Sequence, residues 1–332
     1  MNSILYIVVP CYNEQEVLWE TSARLQDKLA RMMNSGLISS LSRVMFVDDG
    51  SKDKTWEIIS QLHSQNKLFS GLKLAHNRGQ QNALLAGLMS AKAHADCVIS
   101  LDADLQDDIE VLDEFVQKFH EGCDIVYGVR SARNTDTFFK KFTAEGFYKF
   151  MKMLDVDIVN NHSDYRLMSK RALEALSEYG EVNLFLRGIV PTIGYKTDIV
   201  YYERHERFAG ESKYPLKKMI AFAIDGITSF SVKPLNMISG VGIFLSFVSV
   251  IGFIYCLIAY FAGWTVPGWT TTVCSIWLLG GIQLFCIGVL GCYVGKIYFE
   301  VKKRPRYWVD MIVNDNDTEL DADKLSENVK EQ

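Results

Sequence analysis

Two aspartates separated by one residue, Asp102 and Asp104, lie in the run Ser100-Leu101-Asp102-Ala103-Asp104-Leu105-Gln106-Asp107-Asp108. The apolar Cys97-Val98-Ile99 before them reads as a buried strand, and a helical pattern starts at about Ile109. The pair is therefore expected where a strand ends, the place where open α/β sheets bind ligands. Side chains at i and i+2 of an extended segment point the same way. Two such carboxylates can converge on one hard cation, and Mg²⁺ or Mn²⁺ takes oxygen ligands shared with phosphates. The competing reading is a solvated acidic loop that caps the next helix. Placement after a strand, with the motifs below, favours the metal.

The first half of the chain supplies the frame for that loop. Residues 4–9 are a short Ile/Val-rich run, hence a buried strand, stopped by Pro10 in Pro10-Cys11-Tyr12-Asn13-Glu14. Asn13 is expected to cap a helix from about Glu14 to Met33. A second strand at 43–47 runs into Asp48-Asp49-Gly50-Ser51, and Asp53 caps the following helix. A third strand at 72–75 precedes His76-Asn77-Arg78-Gly79-Gln80-Gln81 and an Ala/Leu-rich helix to about Ala93. The fourth strand is 97–101, and the fifth is 124–127, followed by Gly128-Val129-Arg130. Short strands alternating with helices imply a mostly parallel α/β sheet covered on both faces. No G-x-G-x-x-G follows the first strand and no G-x-x-x-x-G-K-[ST] occurs. A dinucleotide dehydrogenase and a P-loop NTPase are thereby disfavoured.

Beyond residue 135 a Lys- and aromatic-containing helical pattern precedes Asn161-His162-Ser163-Asp164-Tyr165-Arg166-Leu167-Met168, and a helix starts at Lys170. Residues 185–190 are apolar and are expected to pack on the sheet, and 197–202 alternate like a half-exposed strand. A charged loop, Glu206-Arg207-Phe208-Ala209-Gly210-Glu211-Ser212-Lys213, comes next.

The net charge of −5 and the pI near 5.8 give no sign of nucleic-acid binding. Hydrophobic content is 48% but uneven: residues 234–295 contain no Asp, Glu, Lys, Arg or His. That run holds two spanning helices of about 20 residues each, expected at 235–262 and 271–295. Trp264 and Trp269 suit an interface at the turn, while Lys217, Lys218 and Lys233 on one side and Lys296, Lys302, Lys303, Arg304 and Arg306 on the other put both ends in the cytoplasm. Leu216, Met219, Ile220, Ala223, Ile227 and Phe230 share one helical face, the pattern of an interfacial helix. Met1-Asn2-Ser3 lacks a basic region and residues 4–9 are too short for an export signal, so the catalytic part is expected to stay cytoplasmic. The seven cysteines form no Cys-x-x-Cys pair and read as reduced small hydrophobes. The expected division is a catalytic domain at 1–213, an interfacial helix region at 214–233, a transmembrane hairpin at 234–296 and a basic, then acidic, disordered tail at 297–332. Gly280, Gly281, Gly288, Gly291 and Gly295 leave packing into a homo-oligomer open.

The set Pro10-x-Tyr12-Asn13-Glu14, Asp48-Asp49-Gly50-Ser51, Asp102-Ala103-Asp104-Leu105-Gln106, Asp164-Tyr165-Arg166-Leu167-Met168 and Arg207-x-x-Gly210-x-Ser212-Lys213 resembles the bacterial polyprenyl-phosphate (bactoprenol) glycosyltransferases. These are relatives of dolichol-phosphate mannose synthase in the inverting GT-A family 2, and the two-span tail is similar to their glucosyltransferase branch. The resemblance covers residues 4 to about 308. Where many such proteins have Asn-x-Gly-Lys, this chain has Asn77-Arg78-Gly79-Gln80, a change of charge near the expected diphosphate or lipid site.

The resemblance implies a GT-A, Rossmann-like domain that moves a hexose, with glucose favoured, from a UDP-sugar to polyprenyl phosphate with Mg²⁺ or Mn²⁺. It makes Asp104 the more direct metal ligand, with Asp102 sharing the metal or holding the ribose. Ala103 would keep the loop narrow beside the nucleotide. Pro10, Tyr12, Glu14, Val47 and Asp49 would frame the nucleoside. Asp164 would be the base or an orienting carboxylate. Arg130, Arg207 and Lys213 would face the donor diphosphate, and Arg133, Lys140 and Lys141 the lipid phosphate. Gly210 would let the Arg207–Lys213 loop close. The alternatives are a processive polysaccharide synthase, whose Gln-x-x-Arg-Trp motif has no counterpart here, and a non-catalytic membrane partner that keeps the fold.

Overall fold

The computed structural model describes residues 2–131, 162–182, 185–203, 233–262 and 268–314. They fall into two compact units, one built on a sheet and one containing two long helices.

In the sheet unit the elements are β1 (Leu5–Cys11), α1 (Leu18–Asn34), β2 (Arg43–Asp48), α2 (Thr55–Gln65), β3 (Phe69–Leu74), α3 (Gln80–Ala91), β4 (Cys97–Ser100), a 3₁₀ turn (Ile109–Val111), α4 (Leu112–His120) and β5 (Ile125–Arg130). Then come β6 (His162–Ser169), α5 (Lys170–Ser177), α6 (Leu186–Thr192), β7 (Thr197–Tyr202) and, late in the chain, β8 (Val309–Val313). The strands form one eight-stranded sheet in the order β7-β5-β6-β4-β1-β2-β3-β8. β1 to β4 are parallel, and β5 and β7 run with them; β6 and β8 are antiparallel to their neighbours. The central strands are buried along almost their whole length, as parallel strands covered on both faces require. On α1 the buried Leu18, Leu25, Leu29 and Met32 repeat at helical spacing and join the core cluster with Ile7, Phe46 and Phe115.

This topology sends the carboxyl ends of β1, β2, β4, β5 and β7 to the same edge, where β6 begins. The register places Cys11 opposite Asp48, Val8 opposite Ser100, and Ser100 opposite Arg166. Two residues further on, Asp102 leaves β4 beside the point where Asp164 enters β6.

Several expectations change. The segment from Ser163 to Met168, expected only as a link to the Lys170 helix, lies in a central strand. Its charged residues hid the pattern, because Arg166 is fully buried there beside a carboxylate. α1 begins at Leu18 rather than Glu14. Asn13 adopts a left-handed φ of 53°, and its side-chain oxygen accepts from Lys52 N at 2.9 Å instead of capping the helix. The tail does not become a free polar segment at Asp310, since Val309–Val313 pairs with β3 and Ala75 N donates to Trp308 O. Val313 closes the apolar end of that pairing: a Cβ on Gly71 would meet Val313 at 2.9 Å and Ile59 at 2.4 Å.

The second unit holds α7 (Lys233–Phe261) and α8 (Trp269–Lys302), helices of 29 and 34 residues. Large apolar side chains along them, including Ile243, Phe247, Phe261, Leu284, Phe285 and Ile287, are exposed. Among the described residues, Leu278–Lys302 is the segment long and apolar enough to cross a membrane. The expected interfacial helix at 215–230, the turn residues 263–267 and the tail from 315 lie outside the described residues.

Candidate active site

The acidic loop after β4 is fixed from every side. Ser100, the last residue of β4, donates from its hydroxyl to the carbonyl of Asp164. The carbonyl of Ala103 accepts from Thr21 Oγ1 on α1 at 2.9 Å, and the Ala103 methyl belongs to the core. Ala103 thus anchors the loop from beneath. Asp104 Oδ1 accepts from Gln106 N at 3.2 Å, which bends the chain back, and Leu105 takes a left-handed φ of 56°. Tyr165 Oη donates to the Asp108 carbonyl at 3.0 Å, and Tyr202 Oη to Asp107 Oδ1 at 2.6 Å. Gly128 makes room for these rings, because a Cβ there would lie 2.9 Å from Tyr165 O and 3.2 Å from the Tyr202 ring.

Asp102 is half-buried, and its Oδ1 accepts from Gln80 Nε2 at 2.7 Å. Burial pushes its carboxyl up to about 7, and Asp107, Asp164 and Asp104 push the same way while Arg187 opposes them. So much negative charge in one place is what a bound cation would relieve. Among the described residues no three His, Cys, Asp or Glu side chains form a cation cage. A pair of carboxylates on one loop still suits Mg²⁺ or Mn²⁺, which complete their shells with water and phosphate oxygens. Asp102 and Asp104 therefore fit such an ion.

The β1 and β2 loops interlock beside this site. Glu14 N donates to Thr55 Oγ1 at 3.0 Å, and Asn13 N to Ser51 Oγ at 2.9 Å. Asp49 is buried, and its two oxygens accept from Arg78 N at 2.7 Å and Gly79 N at 2.8 Å. Burial raises its carboxyl above the ordinary range against the pull of those two amides. Asp49 therefore carries the β3–α3 loop. Gly50, at φ +64°, permits the approach, because a Cβ would strike Asn77 N at 2.7 Å. Tyr12 is exposed and Pro10 half-buried, so both border the open edge. Val47 is fully buried beneath α3 at Gly87 and shapes the floor rather than the surface.

On the far side of Asp102, Asp164 accepts from Arg166 Nη2 at 2.7 Å and from Arg187 Nε and Nη2 at 3.1 and 3.0 Å. Arg130 approaches Asp107 at 3.6 Å and donates to Tyr202 Oη at 3.2 Å. Arg130 thus backs the acidic loop. Arg133, Lys140, Lys141, Arg207, Gly210 and Lys213 lie outside the described residues. Asp102, Asp104, Asp164 and Arg130 are brought to one edge. Sequence reasoning set Gln80 near the expected diphosphate or lipid site, and gave no role to Asp107, Arg166, Arg187 or Tyr202. A lone arginine inside the apolar run at 185–190 was a signal for Arg187, as was the arginine two places after Asp164 for Arg166.

The chain is similar to known proteins over most of its length. The model of "Glycosyl transferase family 2" matches residues 6–177. The chain is 54% identical over 308 residues to the uncharacterized glycosyltransferase YkoT of Bacillus subtilis (strain 168), covering 93% of this chain and 91% of that protein. It is 40% identical over 306 residues to the SfII prophage-derived bactoprenol glucosyl transferase of Shigella flexneri, covering 91% and 96%. Among solved structures it is similar to the mannosyltransferase PcManGT from Pyrobaculum calidifontis in complex with GDP-Man and Mn²⁺, with a TM-score of 0.43, 15% identity and coverage of 89% and 88%.

Proposed function

The chain belongs to glycosyl transferase family 2 and is a glycosyltransferase, and on that premise we propose that it moves a hexose, glucose first among candidates, from a UDP-sugar to polyprenyl phosphate with inversion. The observation that carries this reading is the meeting of Asp102, Asp104 and Asp164 at one sheet edge, in a chain alike over nearly its full length to proteins named for bactoprenol. Asp102 and Asp104 would hold Mg²⁺ or Mn²⁺, which neutralises the leaving diphosphate as a Lewis acid. Tyr12, Pro10, Glu14 and the Asp49-held loop border the nucleoside, with Val47 beneath. Arg207 and Lys213 serve the donor diphosphate, and Arg133, Lys140 and Lys141 the lipid phosphate.

The lipid acceptor explains the second unit. α7 and α8 are each longer than the roughly 30 Å hydrocarbon core, at about 1.5 Å per residue, and display apolar side chains. We read them as a membrane hairpin that keeps the enzyme beside its acceptor, with the sheet unit and both chain ends cytoplasmic and an interfacial helix at 214–233. The basic segment after α8 returns the chain to the sheet unit as β8.

The test is transfer of label from UDP-sugars to undecaprenyl phosphate in detergent, with Mg²⁺ or with EDTA. The expected result is metal-dependent, chloroform-extractable label from one donor. Water-insoluble polymer would point to a processive synthase. A folded protein that labels no lipid from any UDP- or GDP-sugar would refute the reading.

A further inference from the structure

Asp164 is gripped by two guanidinium groups in a way that bears on what it can do. Among the described residues both its oxygens accept N–H bonds, three of them from Arg166 and Arg187 at 2.7 to 3.1 Å. Three of about four lone-pair sites on the carboxylate are thereby directed at cations. Arg166 is 1% exposed and also donates from Nη1 to the carbonyl of Leu186 at 3.2 Å. That bond ties β6 to the first residue of α6, and Arg187 is the next residue along. Leu186 N in turn donates to Gln81 Oε1 at 3.0 Å, while the neighbouring Gln80 holds Asp102 at 2.7 Å. Two adjacent glutamines at the start of α3 therefore connect the acidic loop of β4 to the start of α6. Arg187 is half-buried, with its fork on Asp164.

We propose that Arg187 is a positioning residue which, with Arg166 behind it, fixes Asp164 as an orienting anion, so that Asp164 is not the proton acceptor. The inference rests on the phosphate-acceptor reading above. A phosphate monoester has a second pKa of about 6 and arrives largely dianionic. Its oxygen forms the bond to the anomeric carbon, the bond to the diphosphate oxygen breaks, and that oxygen keeps the electron pair. No proton has to move. A rigid carboxylate beside the sugar offsets the positive charge that grows on the anomeric carbon in such a step. Rigidity is what a bidentate guanidinium fork supplies and a lysine does not.

The experiment uses the full chain in detergent with Arg187→Ala, Arg187→Lys, Asp164→Asn and the Arg187→Ala/Asp164→Asn double variant, each checked for folding by its melting transition. Arg187→Ala is expected to lower kcat about 100-fold, the scale of a misplaced catalytic group, with the donor KM within about twofold. Arg187→Lys, which keeps charge and loses the fork, falls between it and wild type. Added guanidinium ion restores part of the Arg187→Ala activity, and the double variant is no worse than its slower parent. Asp164→Asn keeps the shape of the wild-type kcat–pH profile at lower amplitude. Three results would overturn the proposal: Arg187→Ala with wild-type kcat, losses that multiply in the double variant, or an acid limb of the profile that vanishes in Asp164→Asn. Wild-type protein that transfers no sugar would instead overturn the functional reading on which the proposal stands.

Discussion

Removing the Asp164 side chain should unfold the sheet unit more readily, quite apart from its effect on activity. Arg166 is 1% exposed, and its guanidinium is neutralised by Asp164 at 2.7 Å. In Asp164→Ala that charge stays buried with its bond to Leu186 O but with its anionic partner gone. Breaking a buried pair from one side costs about 3–5 kcal/mol. The lower end applies, because Arg187 is 32% exposed at its side chain and can hydrate when released. About 3 kcal/mol corresponds to a fall in Tm of roughly 6–12 °C for a unit of this size. Asp164→Asn retains an acceptor oxygen and should lose about half as much. The double variant Asp164→Ala/Arg166→Met removes the stranded charge while filling its volume, and should recover to within about 1 kcal/mol of wild type. The assay is thermal melting of the purified full chain in detergent, followed by far-ultraviolet circular dichroism. An Asp164→Ala protein that melts with wild type, or a double variant no more stable than the single, would refute this account of the pair. The outcome also governs how an inactive Asp164→Ala should be read, since lost activity would then reflect a disturbed strand as much as missing chemistry.

Asp104→Asn should reduce transfer about 100-fold or more at saturating donor, and excess Mn²⁺ or Mg²⁺ should not restore it, as a metal titration of initial rates would show. Gly71→Ala should destabilise by about 1–3 kcal/mol through overpacking, because its Cβ would press on Ile59 and Val313; Val313→Ala in the same chain should relieve part of this in chemical denaturation. Gly50→Ala should cost about 2 kcal/mol or more, from the left-handed φ and from collision with the backbone at His76 and Asn77, and should weaken UDP binding measured by calorimetry. Burial pushes the Cys11 and Cys97 thiols well up, so neither is thiolate at pH 8; mass spectrometry after treatment with a thiol-disulfide reagent should find both unlabelled until denaturant is added.

The parallel half of the fold was legible because its signals are local. Apolar runs such as Val44 to Val47 and Val98-Ile99, each followed by an acidic or Gly-containing turn, mark strand, loop and helix within a few residues of one another. The placement of the carboxylates at 102 and 104 just past a strand end was legible for the same reason, since both the strand that presents them and their spacing are adjacent in the chain. β6 was not, because its sequence reads as polar: Asp164 and Arg166 become strand residues only once each neutralises the other in the interior. β8 was hidden differently. Val309–Val313 borders an acidic tail, and only the unpaired outer edge of β3 gives it a place.

The sequence by itself determined the reaction class, the strand–loop motifs, the carboxylates at the strand ends and the apolar run at 234–295. These depend on residue type and on spacing over a few positions. Only the tertiary structure decided that Gln80 holds Asp102, that Asp49 carries the β3–α3 loop, and that Arg166 and Arg187 share Asp164. Those contacts join residues up to 30 positions apart, such as Asp49 and Gly79. They exist because the strand order sets β6 beside β4 and brings α3 and α6 to the same edge, and no periodicity along the chain encodes a meeting of side chains across a sheet.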